Sequence, residues 1–282
     1  MSKNPVPPSL SDIDVRIDAR GVEHHRARPD PRIVSLVPSL TELLCDLGVG
    51  SQIVGCTRFC IHPRETVRRI EKVGGTKDVD IEKIRALAPT HVIVNVDENP
   101  RETVDALSEV ADNVFVTHPI APTDNLVLFE NFGFLFSCEE RAAELAQRFR
   151  FALDRLPTCG DRPARKVLYL IWRNPWMTIY PDTYISRMLA LVNWHSVPRV
   201  SADRYPTIEL ANFVGETDLI LLSSEPYPFS DEHFAEVESE FGERAQIALV
   251  DGEMFSWYGS RAIPAVEYLD KLTVDTAEIL PR

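Results

Sequence analysis

The sequence predicts an α/β fold of two domains joined by a long helix, and three patterns predict it. Short apolar runs alternate with amphipathic helical stretches up to about residue 120. A longer helical stretch then breaks the alternation, and the alternation restarts beyond Pro163. Strands alternating with helices over short connections make βαβ units and parallel sheets. At 282 residues and 44% hydrophobic content the chain has material for two packed interiors.

Taken in order, residues 1–11 are rich in proline and serine and are expected to be disordered. Ile13, Val15 and Ile17 alternate with charged residues, a half-buried strand with a hairpin return after Ala19-Arg20-Gly21. Arg32 to Val37 reads as a buried parallel strand. Ser39 and Glu42 then read as a capping box for a helix stopped by Gly48. Further strands are expected at 53–56, 91–96 and 114–116, and helices at 80–87 and 103–110. Asp124 to Phe136 is apolar and helical. Ser137 with Glu140 reads as a second capping box, opening a helix to about Leu156 whose apolar stripe includes Leu145, Phe149 and Ala152. Strands at 167–171, 219–222 and 245–250 and helices at 183–192 and 264–272 complete the second domain. The expected division is a lead at 1–11, an N-terminal α/β lobe at 12–137, a bridging helix at 138–159 and a C-terminal α/β lobe at 160–282.

A formal charge of −13 argues against a nucleic-acid partner, because phosphate recognition needs clustered Lys and Arg. No stretch has the length of a membrane span, so no membrane insertion is expected. Met1–Leu10 lacks the continuous apolar run of a secretory signal, and the five cysteines are irregularly spaced. Both features predict a cytoplasmic protein with reduced thiols.

No catalytic signature is present: there is no GxSxG, Walker loop, GxGxxG or HExxH. Catalytic residues and metal ligands are therefore both predicted as none. Gly74-Gly75 reads as a loop hinge, and Cys56 and Cys60 as small buried residues. What stands out is aromatic residues and arginines where strands end, the place open α/β sheets bind ligands. Trp172-Arg173-Asn174-Pro175-Trp176 follows one strand, Glu253 to Arg261 follows another, and Arg204-Tyr205-Pro206 precedes a helical stretch. Any one of these residues could cap a core. Clustered, they suit stacking on a flat ligand with an acidic edge.

Arg32-Ile33-Val34-Ser35-Leu36-Val37-Pro38-Ser39-Leu40-Thr41-Glu42 resembles the opening of the class III, helical-backbone substrate-binding proteins for cobalamin, haem and siderophores. Val73-Gly74-Gly75, Asp80 to Pro89, Asn174-Pro175, Tyr205-Pro206 and Asp251 to Arg261 continue the resemblance in the same order, covering residues 13 to 275. It implies two Rossmann-like lobes with central parallel sheets, bridged by a backbone helix, with a ligand in the cleft between them. The ligand-binding positions it implies are Phe59, Trp172, Arg173, Tyr205, Glu253, Phe255, Trp257 and Arg261, and the transporter-docking positions are Glu82 and Glu209. Thr76 stands where cobalamin binders of this kind place a stacking tryptophan. The expected function is binding of a corrinoid or other metal chelate, with an ABC transporter permease as partner and no required cofactor. Two alternatives stay open: a cytosolic enzyme or chaperone handling a tetrapyrrole, and direct binding of a transition-metal ion.

Overall fold

A computed structural model describes residues 15–158 and 161–278. The lead at 1–11, Ile13 of the first expected strand and Cys159 lie outside the described residues. The chain divides into two units. The first takes the described residues up to His118 together with Leu126–Ala146, and the second takes Pro119–Asn125 and Gln147 onward.

The first unit opens with a hairpin of β1 (Arg16–Ile17) and β2 (Glu23–His24), paired antiparallel with Arg16 opposite His24. Asp18 fastens it to the sheet behind. Its buried carboxylate accepts the amides of Arg20, Val22 and Val116 at 2.8, 2.9 and 3.2 Å. Then come β3 (Ile33–Ser35), α1 (Pro38–Asp46), β4 (Ile53–Cys56), α2 (Arg64–Val67), β5 (Glu71–Lys72), α3 (Ile81–Ala86), β6 (His91–Asn95), α4 (Arg101–Leu107) and β7 (Asn113–Thr117). The five later strands form one parallel sheet in the order β5-β4-β3-β6-β7. Every residue of β3 and β6 is buried, as expected of strands covered on both faces.

α1 begins two residues earlier than a Ser39 cap requires. Val37 precedes proline and is held extended at φ −133° and ψ 120°, and Pro38 takes the first helical position, where its missing N–H costs nothing. Ser39 is therefore buried inside the helix rather than capping it. α3 is capped by a side chain: Asp80 accepts the Lys83 amide at 3.0 Å. Asp80→Ala should lower stability by about 1 kcal/mol, read as a shift in the denaturant midpoint. An unchanged midpoint would mean that the cap contributes nothing.

The helices α5 (Asp124–Leu135) and α6 (Glu139–Arg155) follow. Ser137 does not open α6. It lies in the left-handed region at φ 55°, and its hydroxyl accepts from Arg26 at 3.2 Å. Gly133 permits the close approach of the two helices, since a Cβ there would stand 2.6 Å from Ala142 Cβ. α6 is shorter at both ends than the 138–159 expected. Its residues up to Ala146 belong to the first unit and those from Gln147 to the second. Ala142, Leu145, Phe149 and Ala152 are buried along one stripe.

The second unit holds β8 (Arg165–Trp172), β9 (Met177–Thr178), α7 (Tyr184–Ala190), β10 (Trp194–Ser196), β11 (Leu219–Ser223), α8 (Asp231–Phe241), β12 (Gln246–Val250), α9 (Glu253–Ser256) and α10 (Ala262–Glu278). Its parallel sheet runs β10-β8-β11-β12, with β9 antiparallel against β8. Alternate residues of β8 and β11 feed two cores. Tyr169 and Leu221 enter one, and Leu168, Leu170 and Leu222 enter the other, which α8 covers with Val237 and Phe241. Among the described residues no helix is long and apolar enough to cross a membrane.

Candidate functional site

Both sheets are parallel, so the loops beyond their strands gather at one edge of each unit. In the first unit the loop after β4 carries Arg58 and Phe59. The Phe59 ring is 49% exposed, with the Arg58 guanidinium 4.8 Å from its centroid. Arg58 also grips Asp78 with two hydrogen bonds, at 2.9 and 3.0 Å, which hold that carboxyl below its ordinary range. Asn99, buried after β6, supports the neighbouring loop by donating to the Thr76 carbonyl at 3.0 Å.

The second unit presents more. Trp172 ends β8 with 41% of its surface exposed and meets Tyr227 edge-on at 5.5 Å. Tyr227 packs on Phe229 at 4.8 Å, and Phe229 stacks parallel to Trp176 at 6.0 Å. The Tyr227 hydroxyl lies 3.0 Å from His233 Nε2. Arg173 is not a free cation. It makes a two-bond ion pair with Glu236 of α8 at 2.6 and 2.7 Å, and this pairing holds the Glu236 carboxyl below its ordinary range. Sequence reasoning did not find Tyr227, Phe229, His233 or Glu236. Pro226-Tyr227-Pro228-Phe229 begins three residues after the end of β11 at Ser223, so the signal of aromatics near a strand end was there.

The loop after β12 divides the remaining candidates. Phe255 is a core residue: it is 1% exposed and packs edge-on against Tyr169 at 5.3 Å and Tyr268 at 5.9 Å. It leaves the candidate set because α9 turns that one side chain inward. Glu253 and Arg261 pair at 3.2 Å, and Arg261 lies 5.0 Å from the centroid of Trp257, itself largely buried. Glu225, after β11, completes this group. Burial pushes its carboxyl up, offset in part by hydrogen bonds from Ser256 and the Trp257 side chain. Tyr205 is half-buried against the same core as Phe255, with Arg204 5.9 Å from its ring.

The structure thus places Trp172 and Arg173 at the carboxyl end of β8, and Glu253, Trp257 and Arg261 beyond the carboxyl end of β12, with β11 between the two strands. Phe59 holds the equivalent position on its own sheet. Glu82 is exposed in the first turn of α3, 3.5 Å from Arg85. Glu209 is exposed just before Leu210, where a single helical turn begins. Chemically the group can stack a flat ligand and hydrogen-bond its edge. Among the described residues no set of three or more His, Cys, Asp or Glu side chains is arranged to hold a metal ion.

Residues 33–214 match the family described as periplasmic binding protein. A vitamin B12-binding protein of Yersinia pseudotuberculosis serotype O:3 is 24% identical over 193 residues, spanning 64% of this chain and 68% of the relative. For other curated relatives of that name the match spans about half their length, 48%. Among solved structures, the periplasmic vitamin B12 binding protein of Vibrio cholerae superposes with a TM-score of 0.73 at 17% identity, over 89% of this chain and 98% of its own. The periplasmic heme-binding protein of Roseiflexus sp. RS-1 gives 0.70 at 19% identity, over 88% and 99%.

Proposed function

The chain belongs to the periplasmic binding protein family, and on that premise we propose that it binds a corrinoid or another metal chelate and releases it chemically unchanged. The observation that carries this is the aromatic group at the strand ends of the second unit, where Trp172 exposes an indole beside the Tyr227–Phe229–Trp176 stack. Such faces gain little from water and much from a flat macrocycle. The names of the relatives support the same ligand class, and Glu82 and Glu209, both exposed, are the acidic positions offered to a permease. Calorimetric titration with cobalamin, cobinamide, haem and a ferric siderophore tests the proposal. Binding of at least one at about micromolar affinity or tighter is expected, with the ligand recovered intact. Binding of none, or recovery of an altered ligand, would favour an enzyme or chaperone for a tetrapyrrole.

The cytoplasmic location is part of the proposal and is supported by the cysteines: Cys45, Cys56, Cys60 and Cys138 are all free thiols. Protein alkylated at lysis in its own host should show every one of them blocked. A native disulfide that includes Cys45 or Cys138 in that sample would overturn the location.

A further inference from the structure

β4 ends at Cys56, and the chain turns back at once through Thr57, Arg58 and Phe59. The Cys60 amide donates to the Thr57 carbonyl at 3.1 Å, closing a tight turn. Cys56 and Cys60 thereby enter one small apolar cluster with Val67 and Ile70. Polar groups are aimed at both sulfurs. The Thr41 and Thr57 hydroxyls lie 3.1 and 3.2 Å from Cys60 Sγ. The Lys72 ammonium, on β5, donates to Cys56 Sγ at 3.1 Å and to the Cys60 carbonyl at 3.2 Å. The Thr41 hydroxyl also has Ser35 Oγ and the Val37 carbonyl within reach, at 2.8 and 3.0 Å, but two small residues filling a core would not need an ammonium and the Thr57 hydroxyl at their sulfurs, because burying such groups is unfavourable unless they have partners.

We propose that Cys56 and Cys60 are an oxidisable dithiol site, which hydrogen peroxide converts to an intramolecular disulfide. Cys60 is the attacking group. Burial pushes its thiol up, but hydrogen bonds from Cys56, Thr41 and Thr57 outweigh burial and hold it below the usual range. The Cys60 thiolate attacks one peroxide oxygen, so that an S–O bond forms and the O–O bond breaks. The hydroxide released takes up the proton that Cys60 had lost and becomes water. Cys56, kept as a thiol chiefly by its hydrogen bond with Cys60, then attacks the sulfenic sulfur. The S–S bond forms, the S–O bond breaks, and the hydroxyl group departs as water with the Cys56 proton. Lys72 steadies the negative charge on Cys56 as that proton leaves. In sum two thiols lose two electrons and two protons, and the peroxide is reduced to two waters. The oxidant must be small because both sulfurs are buried. The ring formed contains Arg58 and Phe59. Cys45 and Cys138, pushed up to about 11 by burial, stay protonated near neutral pH and react slowly.

The test treats the reduced full-length chain with hydrogen peroxide at neutral pH, blocks remaining thiols with N-ethylmaleimide, and reads intact mass and peptide maps. A species lacking two hydrogens is expected, bridged between Cys56 and Cys60 and restored by dithiothreitol, with Cys45 and Cys138 still blocked. Cys56→Ala should halt at a sulfenic acid on Cys60 that dimedone traps. Recovery of blocked Cys56 and Cys60 while Cys45 or Cys138 oxidises would overturn the proposal. So would a Cys56→Ala variant that yields no dimedone adduct.

Discussion

Phe255→Ala should cost the fold about 3–5 kcal/mol in chemical denaturation, a core-cavity effect rather than a binding effect. The resemblance to the class III substrate-binding proteins places Phe255 with Glu253 and Trp257 as a ligand contact. Packing separates them: Trp257 is largely buried too but lies beside the Arg261 guanidinium, whereas the Phe255 ring, 1% exposed, is in the core between Tyr169 and Tyr268. Removing it leaves a void that Tyr169 cannot fill by moving, since its hydroxyl is held 2.9 Å from Ser223 Oγ. Phe255→Leu, which keeps most of the volume, should restore much of the loss. A Phe255→Ala protein of unchanged stability but lost ligand affinity would return this residue to the site.

The sequence carries the longer strands clearly and the two-residue strands poorly. β3, β6 and β11 are continuous apolar runs because both faces are covered, and β-branched residues and leucine crowd them. β5 and β9 are two residues long and held by their neighbours, so no local pattern marks them. α8 was readable, with Ser230 before it and Phe234, Val237 and Phe241 at helical spacing, but its many acidic residues mask the stripe. The site shows the same divide. Trp172 and Arg173 follow an obvious strand. The partner that occupies Arg173 sits on α8, far along the chain, and only the fold brings Glu236 to it. The four residues of α9 are too few to show a period, so nothing local says that Phe255 turns inward while Trp257 stays at the loop.

Trp172→Ala should weaken binding of a corrinoid or haem by about 1–3 kcal/mol, the range that loss of one aromatic stacking partner gives for nucleobases. The indole is supported from behind by Tyr227, so its outer face is presented without the entropy cost of ordering it. Trp172→Phe should retain most of the affinity, because a face remains. Arg173 acts by a different route. Its guanidinium is already paired with Glu236, so an acidic ligand edge must compete with an internal carboxylate. Arg173→Ala removes the cation and leaves Glu236 as a bare negative charge beside the aromatic group. Acidic ligands should then lose affinity most at low salt, where that repulsion is least screened. Glu236→Gln should do the reverse, releasing Arg173 and tightening an acidic ligand while leaving a neutral corrinoid unchanged. Titrating haem and cobinamide against wild type and the four variants at low and high salt separates these routes. If Glu236→Gln and Arg173→Ala shift haem affinity in the same direction, the ion pair is a structural clamp, and Trp172 alone marks the ligand face.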